Sequence, residues 1–138
     1  MPGFSDESLH CLALHLAGRT LSEKNRRLLE AAGSLLRLAP VLLANEFAQF
    51  LGQARETLHR LGTDTVVTLS DDDYPPLLAE ISTAPFALFL RGNRRLIGAE
   101  KISIVGTREP SPTGRMAARN IVAHFAAQER VIVSGIAR

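Results

Sequence analysis

Ile102-Ser103-Ile104-Val105-Gly106-Thr107-Arg108-Glu109-Pro110-Ser111-Pro112-Thr113-Gly114 decides the fold. It opens on an apolar, β-branched run that ends at Gly106. Turn-forming residues follow, and a helical pattern begins near Arg115. The order is strand, loop, helix N-terminus. In α/β proteins this junction lies at the carboxyl edge of a parallel sheet, where ligands usually bind. A helix N-terminus offers unpaired N–H groups and partial positive charge, so it favours anions such as phosphate. Arg108 adds a full charge and a planar donor fork.

The sequence beyond this stretch completes the unit. Residues 115–129 read as a helix with Met116, Ala117, Ile121, Val122 and Phe125 on its apolar face. Val131, Ile132 and Val133 form a second strand, closed by Ser134-Gly135. Two strands with one helix between them make a βαβ unit, for which a right-handed crossover is expected. The fingerprint G-x-G-x-x-G of dinucleotide sites is missing.

A length of 138 residues suits one domain, or a small domain and part of another. Charge divides unevenly along it. Residues 1–90 carry seven Lys/Arg against eleven Asp/Glu, a net of −4, and residues 91–138 carry nine against three, a net of +6. A basic end of this kind suits a polyanionic partner, or else is a set of solvated arginines around a helix. One cysteine excludes an internal disulfide, and no Cys/His cluster has zinc-ligand spacing. Cys11 falls in an apolar helical stretch and reads as core. No signal peptide and no membrane span are visible, so the expectation is a cytoplasmic protein with no membrane partner.

Residues 5–61 read as four short helices. Ser5 caps the first, which ends at Gly18; Ser22 caps the second, which ends at Gly33. Pro40 fits the first turn of a third helix that runs through Phe50 and ends at Gly52. A last helix spans 53–61 and stops at Gly62. Core packing explains the apolar stripes. Arg26, Arg27, His10, His15 and His59 read as surface or core residues, and His124 as a surface or sheet-packing residue of the later helix.

At residues 63–64 the composition changes, and the expected domain boundary is there: 1–62 a helical module, 63–138 the beginning of the sheet domain. Thr65–Leu69 reads as a strand. Asp71-Asp72-Asp73 has a metal reading and a plainer one, a solvated acidic turn; consecutive carboxylates seldom converge on one ion, which favours the turn. Tyr74, before two prolines, reads as packed near Leu77 and Leu78, with base stacking as a secondary role. Phe86–Leu90 is a nearly continuous apolar run and reads as a strand buried on both faces. These two strands are expected to extend the sheet of the βαβ unit.

Taken together, Asp73-Tyr74-Pro75-Pro76-Leu77-Leu78, then Ala84-Pro85-Phe86-Ala87-Leu88-Phe89-Leu90-Arg91-Gly92-Asn93, Ile104-Val105-Gly106-Thr107-Arg108, Ser111, Gly114 and Val133-Ser134-Gly135-Ile136-Ala137-Arg138 resemble the DNA-processing protein A family over about residues 64–138. The resemblance implies an α/β architecture: a small all-α, sterile-alpha-motif-like module followed by the first part of an extended Rossmann-like parallel sheet. It implies a non-enzymatic protein that binds single-stranded DNA, protects incoming DNA in natural transformation, loads the RecA recombinase and forms a homodimer at full length, with no cofactor and no metal. Carried over by position, Gly106, Thr107, Arg108, Ser111, Gly114, Ser134, Gly135 and Arg138 are the expected DNA-phosphate residues, with Arg108 on phosphate. A sheet ending after one βαβ unit leaves an apolar face and edge open, so the chain reads as truncated.

Two other functions stand beside this one. One is a nucleotide-binding enzyme of the lysine-decarboxylase-like phosphoribohydrolase group; Glu109 beside Arg108 is its one hint, and the second Gly-rich, Glu-bearing motif is missing. The other is a protein-interaction adaptor built on the helices. No nucleophile–base pair has motif-level spacing, and Ser134 has no partnered histidine.

Overall fold

A computed structural model describes residues 4–135, so the expected site residue Arg138 lies outside the described residues. The chain divides into two compact units, Met1–Ile97 and Gly98–Arg138. In the first, α1 (Asp6–Leu16) starts at Ser5, whose hydroxyl accepts from the Ser8 N–H at 3.0 Å. Asp6 and Glu7 in its first turn complement the helix dipole. A two-residue strand, β1 (Thr20–Leu21), leads to α2 (Glu23–Ala32), capped by the Ser22 hydroxyl and closed by Gly33 at φ +74°. That left-handed conformation is one that glycine adopts without steric cost.

The next helices depart from expectation. α3 spans Leu35–Leu43 with Pro40 inside it, and α4 runs unbroken over Phe47–Leu61 through Gly52. Pro40 therefore does not begin a helix and Gly52 does not end one. Burial decides both. Leu35, Leu38, Ala39 and Leu43 are buried along α3, and Ala54 and Leu58 along α4. This packing outweighs the lost Pro40 hydrogen bond and the low helix propensity of glycine.

Beyond Gly62, β2 (Val66–Thr68) pairs antiparallel with β4 (Ala87–Phe89), Val67 opposite Leu88. Between them lie a five-residue helix, α5 (Pro76–Glu80), and β3 (Ala84–Pro85), which pairs antiparallel with β1. One hydrophobic core joins these strands to the helices: Cys11, Leu12, Leu14, Leu38 and Leu58 pack in the same cluster as Val66, Phe86 and Ala87. A polar network ties them as well. The Ser8 hydroxyl donates to Asp71 Oδ1 at 2.7 Å, Asp71 Oδ2 accepts from the Thr68 N–H at 2.7 Å, and the Ser70 hydroxyl lies 3.1 Å from that of Ser8. The change of composition near residue 62 thus marks a change of secondary structure inside one compact unit, and the units part at Ile97 and Gly98.

The run Phe86–Leu90 is not buried on both faces: Phe86 and Ala87 are buried, while Phe89 is 47% exposed. Nor do β2 and β4 extend a parallel sheet. Among the described residues there are three separate two-stranded sheets. After β4 the chain turns at Gly92, φ +116°, into a 3-10 turn over Arg94–Ile97. Arg94 donates from Nη1 to the β2 carbonyl of Val66 at 3.0 Å and from Nε and Nη2 to the two carboxylate oxygens of Asp73, at 2.5 and 2.8 Å.

The second unit is the expected βαβ element. β5 (Lys101–Ser103) lies parallel to β6 (Val131–Val133), Ile102 opposite Ile132, with α6 (Pro112–Ala126) between them in sequence. The half-buried positions of α6 are Ala118, Val122 and Phe125, one stripe at helical spacing. Met116 and Ile121, expected on the packed face, are 61% and 48% exposed. No residue of 98–135 is fully buried.

Candidate functional site

The junction between β5 and α6 is built from local rules. β5 ends at Ser103, residues 104–106 continue without helix or strand, and a bend at 108–109 precedes the helix. The Thr107 hydroxyl accepts from the Glu109 N–H at 3.3 Å, which shapes that bend. Ser111 is the N-cap of α6, with φ −63° and ψ 159°, and its hydroxyl accepts from the Gly114 N–H at 3.1 Å. Pro112 occupies the first helical position.

This cap alters the expected anion site. Four N–H groups at a helix start lack intrahelical partners. Here one of those positions is a proline with no N–H, and the Gly114 N–H is taken by Ser111. Thr113 is left as the donor inside the first turn. The backbone donors open at this helix start are correspondingly few.

An open cleft of about 460 Å³ lies at the carboxyl end of β5. It brings together Gly106, Thr107, Gly114 and Ser134 from the expected set, and Ile104 and Val105 line its apolar side. Arg108, Ser111 and Gly135 are exposed near it in sequence and do not line it. The cations that do are Arg115 and Arg119, which sequence reasoning did not single out. The signal was present: they sit four apart on the first turns of the helix that follows the loop, hence on one face. Gly106 has an ordinary φ, and a Cβ added there meets nothing within 4 Å, so packing within the chain does not demand glycine at that position.

The other sequence candidates resolve into structure. Tyr74 is 6% exposed and its hydroxyl donates to the Pro85 carbonyl at 2.6 Å, so its ring is part of the fold and no platform for a base. Burial also raises its pKa. Asp71 and Asp73 are engaged by Ser8, Thr68 and Arg94, and no group of metal-ligating side chains occurs among the described residues. The Arg94 hydrogen bond holds the Asp73 carboxyl below the usual carboxylate range. Arg94 therefore contributes less free positive charge than the sequence count suggests. Cys11 is fully buried, and burial pushes its thiol up to about 12. His15 packs edge-on to Phe89 at 5.6 Å, and burial lowers its pKa. Arg26 donates to the Ala79 carbonyl at 2.7 Å, closing α5, while Arg27 pairs with Glu23 on the surface. No described helix is long and apolar enough to cross a membrane.

Comparison with known proteins bears on this site. Residues 65–138 match the family described as DNA recombination-mediator protein A. The chain is 38% identical over 71 residues to the DNA processing protein DprA of Streptococcus pneumoniae, covering 51% of this chain and 25% of that protein. It is 33% identical over 98 residues to the DNA processing protein DprA of Bacillus subtilis, covering 69% of this chain and 33% of that protein. The chain thus spans a quarter to a third of these relatives' length. No solved structure matches it significantly.

Proposed function

The chain belongs to the DNA recombination-mediator protein A family, and from that premise we propose that it carries the first part of a single-stranded DNA-binding surface. In this reading the protein acts in the cytoplasm, protects incoming single-stranded DNA in natural transformation without catalysing a reaction on it, and loads a RecA-type recombinase onto it. The full-length protein works as a homodimer. Residues 1–62 are its sterile-alpha-motif-like module, and residues 63–138 begin its Rossmann-like domain, with β5, α6 and β6 as the βαβ element of the parallel sheet.

The observation that carries the reading is the open cleft at the carboxyl end of β5, whose lining combines the small residues Gly106, Gly114 and Ser134 with Arg115 and Arg119. Small residues let a sugar-phosphate backbone approach closely, and arginines contact phosphates without reading sequence. Arg108, exposed on the adjacent loop, adds a further phosphate contact. Binding of this kind weakens steeply with salt, because each neutralised phosphate releases counterions.

Fluorescence anisotropy of a labelled oligo-dT tests it. The expected result is binding that weakens between low and moderate salt, together with weaker binding of a duplex of equal length. A folded chain that leaves oligo-dT free at low salt overturns the reading. Handover is tested separately, by the rate at which RecA assembles on oligo-dT with and without the protein.

A further inference from the structure

We infer that Arg115 and Arg119 form a two-cation track on α6 that grips consecutive backbone phosphates of a single strand in the cleft, beside the loop that carries Arg108. The inference rests on the single-stranded DNA reading above and goes beyond it in naming where the charge sits.

Three observations carry it. First, both arginines line the cleft and Arg108 does not. Second, the face they occupy is fixed. Ala118, Val122 and Phe125 are the half-buried stripe of α6, which sets the helix's rotation and leaves Arg115 and Arg119 exposed beside it. Third, neither has an ion-pair partner among the described residues, whereas Arg130 in the same unit is paired with Glu100 at 2.7 Å. Two like charges four residues apart weaken a helix in isolation, and no carboxylate offsets this pair. An anion in the cleft would relieve that repulsion. Four residues of helix advance about 6 Å along the axis, so the two guanidinium groups are staggered along the cleft and suit a repeating chain of phosphates better than a single one.

The satisfied cap supports the same assignment. With Pro112 lacking an N–H and the Gly114 N–H bound to Ser111, the helix start leaves little for an anion to take from the backbone.

The test measures oligo-dT affinity against salt for the wild-type chain, Arg115→Ala/Arg119→Ala, Arg119→Lys and Arg108→Ala, each shown by circular dichroism to keep the wild-type helix content. A single-strand phosphate contact contributes about 0.7 to the slope of log K against log salt. The double variant is therefore expected to lose about 1.4 of slope and about tenfold in affinity per arginine. Arg119→Lys keeps the charge and is expected to keep the slope while losing part of the affinity. Arg108→Ala is expected to lose no more than the roughly 0.7 of slope that one contact contributes. An unchanged slope in the double variant, with the wild type binding, overturns the track and leaves the single-stranded DNA reading standing. A folded wild type that does not bind overturns both.

Discussion

Replacing Ser8 with alanine tests whether residues 4–97 hold together as one unit. Ser8 lies in α1, is 1% exposed, and donates to Asp71 Oδ1 at 2.7 Å, across to the turn after β2. The substitution removes a hydrogen bond to a charged group, worth about 1.5–3 kcal/mol when its partner cannot be rehydrated. The Asp71 side chain is 20% exposed and keeps the Thr68 N–H on its other oxygen, so water replaces part of the loss. The expected cost is near the low end, about 1.5 kcal/mol. For a unit of this size that lowers the melting temperature by about 6–12 °C. Two intrinsic probes follow it. Tyr74 is the single tyrosine and there is no tryptophan, so near-ultraviolet circular dichroism and fluorescence report the β2–β4 side, while the 222 nm signal reports mostly α1–α4. If the helices and strands share one core, both probes melt together and shift together. A shift in the helix signal with the tyrosine transition left in place would refute the shared core and restore a boundary near residue 62. Asp72→Ala, which removes an exposed neighbouring carboxylate, is the control and is expected to stay within about 0.5 kcal/mol of wild type.

Gly52→Ala is expected to stabilise α4 by up to about 1 kcal/mol, since the site is exposed, helical and open to a Cβ; a lower melting temperature would show that the glycine is needed there. Cys11, fully buried with its thiol pushed up to about 12, is expected to resist a disulfide reagent in the native state and to react once denatured; rapid full labelling of the native protein refutes that. Because Arg94 depresses the pKa of Asp73 in the folded state, the pair stabilises above the ordinary carboxylate pKa and its contribution is lost as pH falls through the depressed value. Both side chains are partly exposed, so the pH-dependent increment is about 0.5–1 kcal/mol, and Arg94→Ala should flatten that part of the stability–pH profile. An equally steep profile in the variant assigns the acid sensitivity to other carboxylates.

The readings that held rest on local chemistry. Ser5 and Ser22 cap where a short polar side chain before an apolar periodicity says they should, and Gly33 and Gly62 close helices at positive φ. The βαβ order of residues 101–133 was legible because strand, cap and helix each have their own sequence pattern. What failed depends on distant partners. Gly52 looks like a terminator until Ala54 and Leu58 are buried against other elements, and Pro40 looks like a start until Leu35 and Leu38 are. Pairing of β1 with β3 joins Leu21 to Ala84, and nothing in either dipeptide announces it. The same limit applies at the site. Position in a family motif drew attention to Arg108, whereas facing the cleft is a matter of helix rotation, set by Ala118, Val122 and Phe125.

The cap at Ser111 bears on kinetics as well as affinity. A glycine-rich phosphate loop holds its ligand through fixed backbone donors, which lock one phosphate in one place. With Pro112 and Gly114 unavailable as donors, the proposed phosphate contacts would fall mainly to long, rotatable guanidinium arms. Such arms can release one phosphate and take the next without the backbone moving. In the proposed binding mode a strand would be free to slide along the cleft, so residence on the DNA and residence at one nucleotide would become separate quantities.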